Sequence, residues 1–135
     1  MPQVEWVIEG YVYRVRHFGV ITIKDLEVGY AASASFLNQA ERSLHILVDF
    51  LNVDDYLPTP EEIRKLPNIY PTTQHLRRGW TVYYGSNDLY RLISTVISQD
   101  YEIKHHWCES EAEALAFLQT VDPDLRDHLQ RNRPA

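Results

Sequence analysis

The sequence predicts a single α/β domain on a mixed sheet, opened by an N-terminal β-hairpin and ordered β-β-α-β-α-β-α-β-α. Three observations carry this. At the start, Trp6 and Ile8 interleave with Glu5, Val7 and Glu9, and Val12 and Val15 then interleave with Tyr11, Tyr13, Arg14 and Arg16. That period of two suits an antiparallel pair with one wet face. Further on, short apolar runs alternate with capped helical stretches, which implies a mostly parallel sheet joined by right-handed crossovers. In the middle, residues 45–50 (HILVDF) are nearly all apolar, as in a strand whose two faces are both covered.

Taken in order, the first two strands fall at 4–9 and 11–17, with Gly10 at the bend and Gly19 marking the next break. Thr22 opens T-I-K-D, a weaker form of the capping box, so a helix is expected over 24–40. Its apolar stripe is Leu26, Tyr30, Ser33, Leu37 and Ala40. Its middle (Gly29, Ala31, Ala32, Ser33, Ala34, Ser35) is unusually small. Small side chains allow close approach to the sheet; the sharper alternative is a groove for a partner helix.

The central stretch follows: the strand at 45–50, then an acidic loop holding Asp49, Asn52, Asp54, Asp55 and Tyr56, then a short helix. Thr59 and Glu62 form a capping box, and Pro60 falls at the first helical position, where its missing N–H costs nothing. Glu61 and Glu62 lie at the positive pole of that helix, Arg64 and Lys65 at its negative pole, and Pro67 ends it. Residues 67–79 form an irregular, proline-containing stretch, a candidate functional loop.

Residues 80–84 (WTVYY) are the next strand. The turn Gly85-Ser86-Asn87-Asp88 caps a helix over 89–98 with the stripe Leu89, Leu92, Ile93, Val96 and Ile97. The last strand is 101–107. Ser110 with Glu113 opens the last helix, which runs through Leu115, Leu118 and Val121 and is ended by Pro123. The domain therefore spans 1–121, and 122–135 reads as a polar, frayed tail. One core is expected from Leu47, Val48, Val82, Leu92, Ile93, Val96, Leu115 and Leu118.

Bulk properties exclude several classes. The chain of 135 residues can bury a real core, and its 44% apolar and 24% charged residues are ordinary for a globular protein. A formal net charge of -6 argues against non-specific nucleic-acid binding, which needs clustered Lys and Arg. No apolar run approaches a membrane span, and the first residues lack a signal peptide's apolar core. With Cys108 as its single cysteine the chain has no intramolecular disulfide, so a reducing cytoplasm is the expected setting.

Asp49, Asp54 and Asp55 lie past the carboxyl end of a central strand, where open α/β sheets place ligands. No D-x-D-x-D-G spacing accompanies them, so solvated turn support is the blander and preferred reading. His105, His106 and Cys108 suggest metal ligands, but on a strand His106 and Cys108 share one face and His105 takes the other. No metal or cofactor is expected, and Cys108 is read as structural. The turn at 85–88 lacks both G-K-[ST] and G-x-G-x-x-G, which leaves it a plain N-cap. Arg64, Lys65, Arg77 and Arg78, with Tyr70, His75 and Trp80, suggest an anionic or aromatic ligand; helix-dipole compensation and solvated charge are the alternative.

The element order, together with ILVDF, NVDD and P-T-P-E-E, resembles the STAS fold of anti-sigma-factor-antagonist-like domains, over residues 4–121. GWTVYYG and SEAEALAFL resemble the last two units of that family's looser branch. Typical members carry a D-S-S-G-like run at the start of the helix after the central strand, with a serine phosphorylated by a partner kinase. Here Leu57-Pro58-Thr59-Pro60 stands there, leaving Thr59 as the hydroxyl, and the capping box accounts for it.

The resemblance implies a non-enzymatic regulatory or protein-binding module. Its partner would meet Asp54, Asp55, Tyr56, Thr59 and Glu62, with Tyr56 as an exposed anchor; a homodimer is compatible. The alternative is a small-ligand domain whose anionic or apolar ligand lies among Tyr56, Tyr70, His75, Arg77 and Trp80. Hydrolysis by Asp49 with His75 ranks last.

Overall fold

Gln3–Ile8 (β1) and Val12–Ile21 (β2) pair antiparallel, with Trp6 opposite Tyr13 and Gly10 turning the chain at φ 82°. The structure is a computed structural model that describes residues 1–59, 61, 62, 65, 78–85 and 104–132. Ile23–Asn38 (α1) follows, then Leu44–Tyr56 (β3), Arg78–Tyr84 (β4), His105–Cys108 (β5), Glu111–Val121 (α2) and Pro123–Arg131 (α3). The sheet order is β1-β2-β3-β4-β5, and every pairing after the first is parallel. This is the mixed α/β sheet with an N-terminal hairpin that the sequence predicts. The helix expected at 89–98, with Leu92, Ile93 and Val96, lies outside the described residues.

The caps formed as their residues dictate. Thr22 Oγ1 accepts from the Asp25 N–H at 3.3 Å while the Thr22 N–H donates to Asp25 Oδ2 at 2.9 Å. At α2, Ser110 Oγ accepts from the Glu113 N–H at 3.2 Å. Two orphan N–H groups at a helix start thereby find acceptors. The buried positions of α1 are Leu26, Gly29, Ser33 and Leu37, so the small-residue middle lets this helix lie close against the sheet. A Cβ on Gly29 would already touch Val15 Cγ1 at 3.4 Å.

Strand alternation sorts the core onto two faces. On one, Leu44, Ile46 and Phe50 of β3 pack with α1's Leu26 and Leu37, with Tyr13 and Val15, and with Ile21, Tyr56 and Tyr83. On the other, Val12, Leu47, Val82, Tyr84 and Cys108 pack with Ala114 and Leu118 of α2 and Leu125 of α3. The expected single core is corrected here. Leu47, Val82, Leu115 and Leu118 share the α2 face, whereas Val48 points to the α1 face, because neighbouring strand residues point opposite ways.

The segment expected to fray is α3. Asp122 accepts from the N–H groups of Asp124 and Leu125 at 3.1 and 3.2 Å, with Pro123 at the helix start and Leu125 fully buried. Proline after an aspartate begins a helix as readily as proline ends one, since the first turn has no use for its missing N–H. Read only as a stop, Pro123 concealed that start.

Two buried histidines make the fold acid-sensitive. His17 is buried on the α1 face and stacks on Phe50, and burial pulls its pKa down to about 4 against partial support from Asp25. His45 is lowered too, by burial first, although Asp122 opposes the shift. An imidazole whose pKa falls on folding leaves the unfolded chain binding more protons. Stability is therefore complete above the unfolded value near 6.5 and is lost as pH falls toward the folded value. Urea unfolding between about pH 7 and about pH 4 should lose about 3 kcal/mol to His17, and His17→Gln should flatten that slope. An unchanged slope in the variant would contradict the burial of a neutral ring.

Candidate functional site

At the carboxyl end of the sheet, β2 and β3 run on together past the end of β4. The last β3–β4 pairing is Asp49 with Tyr84, but β2–β3 pairing continues through Phe18–Asn52, Gly19–Val53, Val20–Asp55 and Ile21–Tyr56. The register shifts twice, between Arg16 and Phe18 and between Gly19 and Val20. Such bulges bend a strand pair and re-aim its side chains. One hydrogen bond beyond the strands, the Leu57 N–H donates to Ile21 O at 2.9 Å. The acidic segment predicted as a loop is therefore strand: residues 18–21 supply the partner edge, which composition alone did not reveal.

The two bulges decide what faces water. Val53 and Tyr56 turn inward onto Ile21, Leu26, Phe50 and Tyr83. Tyr56 is only 8% exposed, so it is a buried support and not the exposed interface anchor expected from a loop. Leu51, Leu57, Val20 and Phe18 turn outward instead, at 52%, 57%, 49% and 40% exposure. Asp54, Asp55 and Thr59 are exposed beside them and Glu62 is half-buried. Thr59 and Glu62 form the predicted reciprocal cap. The Thr59 N–H donates to Glu62 Oε1 at 3.0 Å, and the Glu62 N–H donates to Thr59 Oγ1 at 3.2 Å. These outward apolar residues carry no local signal in the sequence, because the bulges that turn them to water depend on the distant β2–β3 pairing.

Beneath this end lies Asp49, 2% exposed. Its Oδ2 accepts from Arg16 Nε at 2.9 Å and from the Tyr84 hydroxyl at 3.2 Å, and its Oδ1 accepts from the Leu51 N–H at 2.9 Å. Burial, then the Asp49 charge, pushes the Tyr84 hydroxyl pKa up, so it stays a donor at neutral pH. A carboxylate with both oxygens occupied and a cation beside it is a structural anchor. It fixes β2, β3 and β4 where the first two run on.

Next along this face, Arg14 spans Glu111 at 2.8 Å and Glu5, tying α2's first turn to the hairpin. At the opposite end of the sheet, His45 Nδ1 accepts from the Trp80 N–H at 3.0 Å, which leaves the proton on Nε2, 2.7 Å from Asp122 Oδ2. Both ring nitrogens are thus engaged, so this Asp–His pair is not a general base. Gly79 makes room for the ring: a Cβ there would sit 2.5 Å from His45 Nδ1.

The other predicted residues separate. Trp80 is half-buried on the α2 face, edge-on to Phe117 with ring centres 5.1 Å apart, whereas Tyr56 belongs to the α1 face. One pocket does not hold both, because the sheet lies between them. Tyr70, His75 and Arg77 lie outside the described residues. His106 stacks on Phe117 with ring centres 3.9 Å apart, and burial pushes the Cys108 thiol pKa up.

No family model matches the chain, and no curated protein matches it. Among solved structures it is similar to an uncharacterized protein of the DUF3478 family with a SpoIIAA-like fold, from Shewanella loihica PV-4. The two share 17% identity over 87% of this chain and 92% of that chain, with a TM-score of 0.60. The fold is thus SpoIIAA-like, that is STAS-like, as the resemblance implied. No helix among the described residues is long and apolar enough to cross a membrane.

Proposed function

We propose that this domain is a non-enzymatic regulatory module that acts by binding a protein partner through the β2–β3 extension. The observation that carries the reading is the outward turn of Phe18, Val20, Leu51 and Leu57 beside Asp54, Asp55, Thr59 and Glu62. Large apolar side chains with a polar rim are the composition of a recognition patch. Tyr56, Val53 and the Asp49 network hold the backbone beneath it, so the patch is preformed. The acids favour a partner with a basic rim, which speeds encounter and fixes orientation more than it adds affinity. The fold supports a binding role by analogy alone, since fold does not dictate function.

The test is capture of interacting proteins with wild type, Leu51→Asp/Leu57→Asp, and Val121→Asp as a control elsewhere on the surface, all three shown to be folded. A partner of this patch should be lost by the double variant, with affinity down by ~2 kcal/mol or more, and kept by the control. Asp54→Asn/Asp55→Asn should slow association and weaken its salt dependence. A specific partner held equally by all variants would place its site elsewhere. Thr59→Glu separately adds negative charge at the cap and should tighten capture of a partner with a basic rim; weakened capture would show that the rim facing Thr59 is acidic.

A further inference from the structure

At the end of the sheet opposite that patch, the β1–β2 bend and the segment after α1 enclose a cleft of about 340 Å³, within the range of small-ligand sites. Its walls include Trp6, Glu9, Tyr11, Gln39, Glu41 and Arg42. Three features give it one sign of charge. Glu9 and Glu41 are exposed and have no ion-pair partner among the described residues. Gln39 caps the carboxyl end of α1, and the last turn of that helix has no basic residue, so the helix brings its negative pole to the cleft. Arg42, the cation on the wall, is neutralised by Asp122 and lies over the Tyr11 ring at 4.4 Å. Trp6 supplies an aromatic surface. It meets Phe36 and Tyr13 edge to face and stays 39% exposed.

We propose that this cleft binds an organic cation with an apolar body, an alkylated or aryl-substituted ammonium presented by a free amine or by a lysine side chain of a peptide. Trp6 takes the apolar body and the cation's face, since an aromatic quadrupole attracts a cation over the ring. Glu9, Glu41 and the α1 carboxyl end hold the charge. The guanidinium of Arg42 over Tyr11 is the same contact made within the chain.

The experiment is an NMR titration of the intact chain, following the Trp6 indole N–H and the Gly10 amide. The probes are benzyltrimethylammonium, benzoate and benzyl alcohol at matched ionic strength, with an N-acetyl trimethyllysine amide as the peptide-like arm. The ammonium probe should shift both signals and bind more tightly than benzyl alcohol or benzoate. Glu9→Gln/Glu41→Gln should weaken it about fivefold. Trp6→Leu should weaken it about fivefold, with Trp6→Phe intermediate as the variant that keeps a ring. Tighter binding of the peptide-like probe identifies a lysine side chain as the source, and tighter binding of the aryl ammonium identifies a free amine. Benzoate binding as well as the cation would make Arg42 the anchor and overturn the proposal. So would unchanged affinity in the glutamine variant, or signals that no probe moves.

Discussion

Asp122→Ala is expected to destabilise the protein by about 3 kcal/mol, the sum of a lost cap and a buried donor left unpaired. Asp122 stands where α2 hands over to α3 and uses both carboxylate oxygens. Oδ1 accepts from the Asp124 and Leu125 N–H groups, and Oδ2 holds His45 and Arg42. These hydrogen bonds hold its pKa below the ordinary carboxylate value despite burial. His45 is buried, so its Nε2–H finds no water once the carboxylate is gone. Arg42 is partly exposed and can rehydrate, so its loss adds little. Asp122→Ser separates the contributions, because serine keeps the cap and loses the histidine contact; it should recover about 1 kcal/mol. Urea unfolding measures the totals, and hydrogen exchange across residues 125–131 reports whether α3 loosens first. A loss below about half a kcal/mol for the alanine variant would mean that Asp122 does not fasten this helix.

Leu118→Ala should cost about 3–4 kcal/mol, in the middle of the range for buried leucines. Leu118 is fully buried among Val12, Leu47, Val82, Ala114 and Leu125. Its neighbours come from three strands and two helices. The strands are fixed by their ladder, and α3 is held by Asp122, so little can move in to fill the space. The cost is therefore transfer free energy plus a surviving cavity. Val121→Ala, three residues on and 37% exposed, should stay within about half a kcal/mol. Equal small losses at both positions would place the α2 stripe on the wrong side.

Much of the architecture was legible because it depends on local chemistry. The hairpin follows from alternation and a glycine at the bend. The starts of α1 and α2 follow from hydroxyl caps, and the Thr59–Glu62 box formed as its spacing required. The candidate site was legible only in its address, the carboxyl end of the central strand. Asp54, Asp55 and Thr59 do lie at the surface there. Tyr56 does not, because residues 18–21 extend the ladder and their bulges turn Tyr56 into the core.

By itself, then, the sequence determined the fold class, the strands that pair early, the helix caps and the absence of an intramolecular disulfide. Each depends on residues a few positions apart or on composition. Only the tertiary structure decided how far β3 runs, that Tyr56 and Trp80 face opposite sides of the sheet, and that the C-terminal segment is a helix docked through Asp122, His45 and Leu125. Those depend on partners far away in the chain: Asp122 meets His45 across 77 positions, and Arg16 meets Asp49 across 33. Periodicity tells a side chain which way to point relative to its neighbours. It does not tell the chain which distant strand or carboxylate will be there to meet it.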